Sequence, residues 1–393
     1  MKEALLGKTL SELKAIAGEY GLPAFTGRQM ADWLYKKQAG SIDEMSNLPK
    51  AKREQLAERY EVGAVAPVRE VRSADGTKKY LFEAPLNPSE GGKLPAHVST
   101  TLSDRSTTLN DRTSSSSVEL VGTFETVFIP DKDRATLCVS AQIGCKLGCL
   151  FCMTGKQGFQ GNLSAGDIIN QIRSIPESEK LTNLVLMGMG EPFDNTAEVL
   201  KALEIMTADY GYAWSPGRIT VSTVGLIPGL QVFLEKSHCH LALSLHSPFA
   251  KERLELMPVE KAYPLQKVLD LLRKYDFRHQ RRLSFEYIMF DGLNDTMRHA
   301  RELLRLLDGL ECRVNLISFH AVPDLDLKSS NPDKMLAFRD YLSTNGVICT
   351  IRRSRGEDIL AACGMLSSSL NHRKNTGTVE SFGPVDYFSE FNL

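Results

Sequence analysis

Residues 138–159 read CVSAQIGCKLGCLFCMTGKQGF and hold four of the eight cysteines of the chain, Cys138, Cys145, Cys149 and Cys152. The last three follow a C-x3-C-x2-C spacing on a glycine-rich loop. Thiolates are soft ligands that suit zinc, copper(I) or iron–sulfur clusters. Three closely spaced cysteines can bind three corners of a cubane cluster and leave the fourth iron open to a cofactor. This stretch is therefore the first candidate site.

A structural zinc site is the alternative interpretation of the same cysteines. Zinc sites favour paired C-x2-C or C-x2-C…H-x3-H elements. Only one such pair, Cys149 and Cys152, occurs here, although Cys138 offers a fourth ligand with six residues between it and Cys145. The spacing, and the strand–helix repeats that follow it, favour an open iron–sulfur cluster.

The sequence around and after the cysteines alternates apolar runs of strand length with amphipathic segments of helix length. The candidate strands are ATLCVS, NLVLMGM, RITVSTV, HLALSLH, LSFEYIM, CRVNLIS and GVICTIR. Candidate helices lie between them at 196–210, 263–275, 296–308 and 333–345. Such alternation predicts repeated βαβ units and a parallel sheet, open or closed into a barrel, with about six units between Ala135 and Arg355. Functional residues are then expected at the C-terminal ends of the strands.

Residues 1–85 predict a small helical module followed by a β-hairpin. Thr9 and Ser11 are candidate N-caps of the first helix. Further helices are predicted at 29–37 and 50–60. The hairpin, VREVRSADGTKKYLFEA, alternates around an Asp-Gly pair, which favours a tight turn.

Two segments have no predicted fold. Residues 86–120 are rich in Ser, Thr, Asn, Pro and Gly and cannot bury enough apolar surface to offset the entropy of ordering, so we expect a flexible insert. The catalytic domain is predicted at 121–375, and residues 376–393 form a C-terminal tail.

The composition of the 393-residue chain is that of a globular protein, and its 47 Lys and Arg nearly balance 48 Asp and Glu. This balance provides no overall attraction to nucleic acid and leaves any such binding to local patches. No window approaches about 18 uninterrupted apolar residues, and the acidic start has no signal-peptide core. We expect a cytoplasmic protein with no membrane partner and no disulfide framework.

The motifs of this chain resemble a known superfamily. C-x3-C-x2-C ahead of βα repeats is similar to the radical S-adenosylmethionine (SAM) enzymes, and the full cysteine stretch with GMGEP at 188–192 resembles the RlmN/Cfr group of adenosine methyltransferases. The resemblance covers nearly the whole chain. Its other motifs are GRQMADWLYKK, DEMSNLPK, DGTKKYLF, FETVFIP, TVSTVG, ALSLHSP and RRSRGEDILAACG. The implied fold is α/β, a partial (βα)6 radical SAM barrel, after a small helical module that resembles an RNA-binding unit and its hairpin.

The resemblance implies two cofactors and the residues that bind them. Cys145, Cys149 and Cys152 are expected to ligate a [4Fe-4S] cluster whose open iron binds SAM. Gly190 and Glu191 match the pair that contacts the amino group of SAM. Further matching contacts are Ser222, Ser244, Leu245 and His246. His320 stands where close relatives often carry Asn in a cofactor contact, and imidazole can still donate a hydrogen bond.

The resemblance also implies three catalytic residues and a two-stage mechanism. Cys363 matches the cysteine that the family methylates, Cys138 the second catalytic cysteine, and Glu125 the base. Cys363 takes a methyl group from one SAM; a second SAM is cleaved reductively, and the 5′-deoxyadenosyl radical removes hydrogen from that methyl. The methylene radical adds to adenine, Glu125 removes the ring proton, and Cys138 attacks the Cys363 sulfur, which releases the product and leaves a disulfide.

The residues themselves support the role of Cys363 and leave the role of Glu125 open. Three arginines, Arg352, Arg353 and Arg355, precede Cys363, and nearby cations favour the thiolate form that attacks a methyl group. Without the resemblance, the plainer interpretation of Glu125 is a solvated carboxylate on an edge strand. The other cysteines lie in strand-like apolar surroundings and are expected to be small buried hydrophobes: Cys239, Cys312 and Cys349.

The implied activity is methylation of adenosine C2 in the peptidyl transferase centre of 23S rRNA and, in some members, of the adenosine 3′ of the tRNA anticodon. The resistance branch of the group methylates C8 instead. The N-terminal module and FETVFIP resemble the C2 branch. Alternatives are a Cfr-type C8 enzyme, a radical SAM enzyme with a non-RNA substrate, and a zinc-containing RNA-binding protein.

The implied partners are RNA and an electron donor such as flavodoxin or ferredoxin, and the chain is expected to be a monomer. Basic residues that offer phosphate contacts are Lys50, Lys52, Arg53, Lys78, Lys79, Arg281, Arg282 and Arg352 to Arg355. For any one of these, a solvated surface charge is the plainer interpretation.

Overall fold

The computed structural model describes residues 2–86, 120–279, 281–323 and 325–367. The insert predicted at 86–120, except for its two end residues, and the tail predicted at 376–393 lie outside the described residues. No helix in the described ranges combines the length and the apolar character that crossing a membrane requires.

The elements alternate between strand and helix through most of the chain. The described strands are β1 (Glu3–Ala4), β2 (Tyr60–Glu61), β3 (Arg69–Arg72), β4 (Lys78–Pro85), β5 (Val121–Pro130), β6 (Ala135–Cys138), β7 (Gln142–Ile143), β8 (Gly161–Asn162), β9 (Asn183–Leu186), β10 (Ile219–Thr223), β11 (His240–Ser244), β12 (Leu283–Met289), β13 (Arg313–Ser318) and β14 (Ile348–Ile351). The described α-helices are α1 (Leu10–Glu19), α2 (Phe25–Ala31), α3 (Lys50–Arg59), α4 (Met153–Gln157), α5 (Ala165–Arg173), α6 (Thr196–Thr207), α7 (Ile227–Lys236), α8 (Ala250–Leu256), α9 (Leu265–Leu272), α10 (Met297–Leu306) and α11 (Pro332–Thr344).

A ten-stranded sheet in the order β14-β13-β12-β11-β10-β9-β6-β5-β4-β3 forms the centre of the molecule. The pairs from β6 through β14 are parallel, and β3, β4 and β5 extend the sheet in antiparallel fashion. Each of the seven candidate strand runs contains one of the parallel strands, so the predicted α/β fold is confirmed. The six crossovers between these strands agree with the expected number of βαβ units.

The sheet is curled. This follows from interactions between residues at the ends of distant strands. At the N-terminal edge, burial and then the charges of Arg313 and Arg134 lower the pKa of Arg282. Arg134 precedes β6 and Arg282 precedes β12, four positions away in the strand order. A flat sheet would hold these arginines too far apart to repel each other, since neighbouring strands are about 4.8 Å apart. The parallel strands therefore form a partial barrel.

The N-terminal residues form a helical unit against the barrel helices. Of the two candidate N-caps, Thr9 caps α1, and Glu12 completes a capping box with it. The helix predicted at 29–37 starts earlier, at α2, and continues as a π-helical turn, Asp32–Lys36. Arg173 of α5 donates hydrogen bonds to backbone carbonyls of this unit, including that of Leu34 at 3.0 Å, and so joins it to the barrel.

The predicted hairpin forms between β3 and β4. The Ser73 N–H donates to the Thr77 carbonyl at 2.8 Å, and Gly76 takes a φ of 87° that few other residues adopt. The hairpin was predicted beside the N-terminal helices, but β4 pairs with β5 and so belongs to the main sheet. This placement brings the hairpin beside residues 356–358 near the end of the described chain.

Candidate active site

One face of the main sheet carries polar side chains at alternate positions of neighbouring strands. Ser222 lies opposite Ala242 in the register, and Ser244, two residues further along β11, lies opposite Glu286. Side chains two residues apart in a strand share a face, so Ser222, Ser244 and Glu286 do. The register through β9 adds Cys138 to the same face. Neither serine hydroxyl forms a hydrogen bond with another described residue, so both remain available to a bound molecule.

The three spaced cysteines lie on a loop that glycines allow to close. The Cys145 N–H donates to the Gly158 carbonyl at 3.2 Å, and a Cβ at Gly144 would lie 1.7 Å from that carbonyl oxygen. Burial and the neighbouring cysteines raise the pKa of the Cys145 and Cys149 thiols, and burial raises that of Cys152. Three enclosed thiols cannot ionise together without positive charge from a metal, so the set fits an iron–sulfur cluster.

The arrangement of these thiols also bears on the kind of metal site. Within the described ranges, no three His, Cys, Asp or Glu side chains converge closely enough to hold one metal ion. The cysteines of a cubane cluster bind separate irons and need no such convergence. The residues present therefore fit the cluster that the spacing predicted.

Gly190 and Glu191 follow β9 at the same edge of the sheet. Gly190 has a φ of 91°, and a Cβ there would lie 2.4 Å from the Gln142 side chain, so glycine is required. The Glu191 carboxylate is 3% exposed and accepts hydrogen bonds from Thr223 Oγ1 at 2.6 Å and the Val224 N–H at 3.0 Å. Burial outweighs these bonds and raises the pKa of Glu191 to about 7. A buried carboxyl in this state fits the amino group of SAM, whose positive charge would favour ionisation.

His246 follows β11 in a left-handed backbone conformation with a φ of 57°. Its Nδ1 accepts the Ile288 N–H at 3.0 Å, which assigns the ring proton to Nε2, and Asn294 donates to the His246 carbonyl at 2.6 Å. Burial and then the charge of Arg253 lower the pKa of His246 to about 3, so the ring is neutral. Leu245, just before it, is fully buried. These bonds hold a neutral imidazole donor at the predicted cofactor site.

His320 follows β13 and reaches the segment that leads to Cys363. Its Nε2 lies 3.0 Å from Ser354 Oγ, and its side chain is 11% exposed. The structure thus places His320 at the C-terminal edge of the sheet, with one ring nitrogen already paired.

The Cys363 loop packs directly on the helix that follows the three spaced cysteines. The Met153 N–H donates to the Gly364 carbonyl at 2.7 Å, and Thr154 Oγ1 donates to the Leu366 carbonyl at 2.7 Å. These two bonds hold Cys363 beside the residues that follow Cys152.

The hairpin holds the other side of the Cys363 loop. Asp358 accepts hydrogen bonds from Ser73 Oγ at 2.6 Å and the Ala74 N–H at 3.1 Å. Asp75 in the hairpin turn accepts the Gly356 N–H at 3.1 Å. The Asp-Gly turn that predicted the hairpin therefore also positions the loop of Cys363, a contact that the sequence pattern did not indicate.

Cys138 and Cys363 come together across the curled sheet, with Arg352 beside them. Burial raises the pKa of Cys138 to about 12, with a further contribution from Cys363, and Arg352 opposes it. Cys363 is reachable from solvent, yet the surrounding protein raises the pKa of its thiol, and Arg352 again opposes the shift. Arg352 Nη1 lies 3.5 Å from the buried carboxylate of Glu286. Arg352 thus acts on both thiols in the direction expected of a nearby cation, toward the thiolate, while the surrounding protein shifts both pKa values upward.

Glu125 is buried in β5, with 7% of its surface exposed. Lys79 Nζ lies 2.9 Å from its carboxylate, and the Ser367 N–H donates to it at 3.0 Å. Burial raises the pKa of Glu125, and Lys79 acts in the opposite direction. The interpretation as a solvated edge-strand carboxylate is wrong, because β4 covers this edge of β5. Glu125 shares a sheet face with Cys138, since Val127 is paired with Cys138 in the register.

Comparisons with known proteins agree with this arrangement. Residues 139–307 match the Radical SAM superfamily, and residues 4–62 match the Ribosomal RNA large subunit methyltransferase N-terminal domain. The chain is 56% identical over 371 residues to a probable dual-specificity RNA methyltransferase RlmN of Parabacteroides distasonis, covering 94% of this chain and 98% of that one. It is 54% identical over 379 residues to the protein of the same name from Phocaeicola vulgatus, covering 96% and 99%. This chain belongs to the RlmN family.

A solved structure supports the same assignment. A radical SAM methyltransferase from Sphaerobacter thermophilus superimposes with a TM-score of 0.79 at 35% identity, covering 93% of this chain and all of that one. The present RlmN-family chain is therefore an enzyme, a radical SAM methyltransferase whose cofactors are a [4Fe-4S] cluster and SAM. Family membership excludes the zinc-containing binding protein.

Several of the basic residues suggested as phosphate contacts form hydrogen bonds or ion pairs with other residues of this RlmN-family chain. Arg281 is buried and donates to the Leu234 carbonyl at 3.0 Å, so the expected contact of Arg281 with phosphate is wrong. Lys78 Nζ lies 2.7 Å from Glu177, and Lys79 is bound to Glu125. Others remain exposed to solvent: Lys50, Arg282 and Arg353. Of the cysteines expected to be buried hydrophobes, Cys239 and Cys349 are buried, whereas Cys312 is only partly so.

Arg253 is a site residue that the sequence did not reveal. Its side chain is fully buried on α8, pairs with Glu260, and donates to the carbonyls of Val224 at 2.8 Å and Ser244 at 3.2 Å. These bonds fasten the C-terminal ends of β10 and β11. Half of its neighbours in AKERLEL are charged, so no pattern distinguished it from a surface arginine.

We expect Arg253→Met to destabilise the protein by about 3–5 kcal/mol, because it leaves the buried Glu260 carboxylate without its partner. Anaerobic urea unfolding measures the effect. Arg305→Met is the control, since Arg305 is 72% exposed and should change stability by less than about 0.5 kcal/mol. Equal unfolding midpoints for the two variants would show that the buried pair does not stabilise the site.

Proposed function

We propose that this enzyme methylates C2 of an adenosine in the peptidyl transferase centre of 23S rRNA and, as a second substrate, the adenosine 3′ of the tRNA anticodon. The proposal rests on one observation: Cys363, Cys138 and Arg352 lie close enough to interact electrostatically, and Cys363 also interacts with Cys152 of the three spaced cysteines. A radical enzyme that only abstracts hydrogen needs no second pair of cysteines. The dual-specificity RNA methyltransferases among its relatives, and the match of residues 4–62, support RNA as the substrate. With these substrates, we expect the enzyme to act in the cytoplasm.

The cofactor sites follow from the residues at the edge of the sheet. Cys145, Cys149 and Cys152 hold the cluster. The residues that contact SAM are Gly190, Glu191, Ser222, Ser244, Leu245, His246 and His320. When bound, these cofactors supply the methyl group and the one-electron chemistry that activates its carbon. Adenine C2 is not nucleophilic, so direct methyl transfer to it would be very slow.

The two cysteines divide the remaining chemistry between them. Cys363 carries the methyl group on Sγ and delivers its carbon to adenine C2. The resulting radical adduct would lose one electron, which the cluster could accept, as the C2 proton leaves. Cys138 then attacks the Cys363 sulfur, the S–C bond breaks as the disulfide forms, and the released carbon takes up a proton to become the methyl group. Arg352, oriented by Glu286, lies beside both sulfurs and favours the thiolate that each step requires.

Glu125 takes the proton that leaves adenine C2. Burial makes its carboxylate more basic than a solvated one, and Lys79 keeps part of the population ionised. The Ser367 N–H directs the carboxylate toward the segment that carries Cys363. A base in this position acts before Cys138 resolves the adduct.

Product analysis tests the proposed function. The reconstituted enzyme is incubated with SAM, reductant and a 23S rRNA fragment or tRNA, and the digested RNA is examined by mass spectrometry against nucleoside standards. 2-Methyladenosine in both RNAs is the expected result. 8-Methyladenosine would establish the Cfr-type activity, and SAM cleavage without any methylated RNA would indicate a non-RNA substrate.

SAM binding is expected to release a proton near neutral pH. The pKa of Glu191 is raised to about 7 without ligand, and the ammonium of SAM favours the ionised carboxylate, so affinity increases as pH rises toward 7. We expect on the order of tenfold tighter binding at pH 7 than at pH 5.5, as a shifted pKa implies. Calorimetry in buffers of different ionisation enthalpy measures the proton release.

Glu191→Gln is the control for this pH dependence. The amide cannot ionise, so the variant should bind SAM more weakly and show no steep change between the two pH values. An equally steep dependence in Glu191→Gln would show that another group titrates.

A further inference from the structure

Basic side chains collect at the N-terminal ends of three neighbouring strands, at the opposite edge of the sheet from the cofactor residues. His240 begins β11, Arg282 directly precedes β12, and Arg313 begins β13. The pairing of β11 with β12 places Arg282 beside His240, and the pairing of β12 with β13 places Arg313 opposite Ser284. Residues two apart share a face, so the three basic residues belong to one face of the sheet. The seven residues of β12 separate them from the catalytic edge by about 20 Å.

These three residues line one cavity, whose volume is about 260 Å³. The Arg282 N–H donates to His240 Nδ1 at 2.9 Å, which assigns the ring proton to Nε2 and makes that atom a donor. Arg282 and Arg313 are exposed, and Arg278 lines the same cavity. Among the described lining residues, Glu311 is the one carboxylate. The cavity therefore offers mainly hydrogen-bond donors and positive charge.

The cations at this edge act on one another. Burial, and then the charges of Arg282, Arg313 and Arg281, lower the pKa of His240, so its ring is neutral. Burial, and then the charges of Arg313 and Arg134, lower the pKa of Arg282. No described carboxylate opposes either shift. A cleft lined by charges of one sign concentrates the field and attracts counter-ions.

The acidic residues nearest to the cavity do not neutralise it. Glu311 is exposed, and its charge acts instead on Cys312, the pKa of which rises mainly through burial. Asp276 lines a neighbouring cavity, where it accepts the backbone N–H of Arg278 at 2.8 Å and lies 3.3 Å from the His279 ring. The cavity at the strand ends thus keeps an excess of positive charge.

We propose that this cavity binds the phosphate group of a small molecule, with Arg282, Arg313 and His240 as the donors. The planar guanidinium group matches the oxygens of phosphate and donates paired hydrogen bonds to them. The cavity is smaller than typical ligand pockets, so it suits a phosphate group with a small attached fragment. A bound anion also relieves the repulsion between the arginines. The inference does not depend on the proposed function, because the cavity lies at the opposite edge of the sheet from the cofactor residues.

Thermal unfolding of the anaerobic holoenzyme tests the site, with inorganic phosphate as the probe and chloride of equal ionic strength as the reference. Equal ionic strength separates binding from simple screening of the repulsion. We expect phosphate to raise Tm by about 3 °C, because a ligand that binds only the folded state stabilises it. In the double variant Arg282→Gln/Arg313→Gln the rise should fall below about 1 °C. In chloride, the Tm of this variant should be no lower than that of the unaltered enzyme, since a source of repulsion is gone.

Arg301→Gln is the matched control, because Arg301 is an exposed arginine on α10 that does not line the cavity. It should keep the full rise in Tm with phosphate. An equal rise in the double variant and in the control would overturn the proposal, since it would reflect only the general effect of phosphate on folded proteins. Weaker RNA binding by the double variant, at an unchanged response to phosphate, would also overturn it and assign these cations to RNA.

Discussion

Cys363→Ala is expected to abolish RNA methylation, by at least about 10³-fold, because the variant has no sulfur at the position that carries the methyl group. The cluster ligands are not altered, so the variant should still bind the cluster and SAM. Mass spectrometry of the digested RNA measures methylation, and the visible absorbance of the protein reports the cluster.

Cys349→Ala is the control for this loss. Cys349 is a buried cysteine on β14 that does not belong to the catalytic set, so its replacement should leave methylation nearly intact. Methylation by Cys363→Ala at the rate of the control would eliminate a cysteine-bound methyl group and support a different radical chemistry.

Cys138→Ala is expected to stop the reaction one step later and to trap RNA on the enzyme. Cys363 can still form the bond to adenine, but no thiol attacks its sulfur to release the product. A slowly migrating protein–RNA band on a denaturing gel should accumulate, and release of methylated RNA should fall by at least about 10²-fold.

The double variant Cys138→Ala/Cys363→Ala identifies the attachment point. It should form no covalent species, because the sulfur that binds RNA is absent. Persistence of the band in the double variant would show that another residue attaches to RNA, and normal product release by Cys138→Ala would remove Cys138 from the mechanism.

The positions of the parallel strands and the cofactor loop could be predicted from the sequence because both are encoded locally. Apolar runs such as NLVLMGM and RITVSTV have the length and spacing of strands buried under helices, and each forms a parallel strand. The capping box at Thr9 and the turn at Gly76 also depend only on neighbouring residues. The positions of Glu191 and His246 followed, because the C-terminal ends of parallel strands meet at one edge of the sheet.

The groups that set the electrostatics of the site could not be predicted in the same way. Glu286 and Arg352 are 66 residues apart in the chain, and only the curled sheet brings them together beside Cys138. The burial of Glu125 depends on the pairing of β4 with β5, across residues outside the described ranges. A local pattern gives no measure of such burial, so neither the burial of Glu125 nor the raised pKa values of the thiols could be predicted from it.

A weak signal for the site was nevertheless present. The strand LSFEYIM places Ser284 and Glu286 two residues apart, and CRVNLIS does the same with Arg313 and Asn315. Strands covered on both faces by apolar groups rarely alternate in this way, so the polar positions indicated a face that lines a site. Asn315 indeed donates to Glu286 at 2.8 Å.

The central claim is that Cys363 carries a methyl group on its sulfur, and mass spectrometry of the Cys363 peptide tests it most directly. The protein is purified from cells grown without iron limitation and digested under denaturing conditions. The account predicts a mass increase of one methylene unit, located on Cys363 by fragmentation and absent from Cys138. An unmodified Cys363 in cluster-loaded protein that cleaves SAM would contradict the methyl-cysteine mechanism.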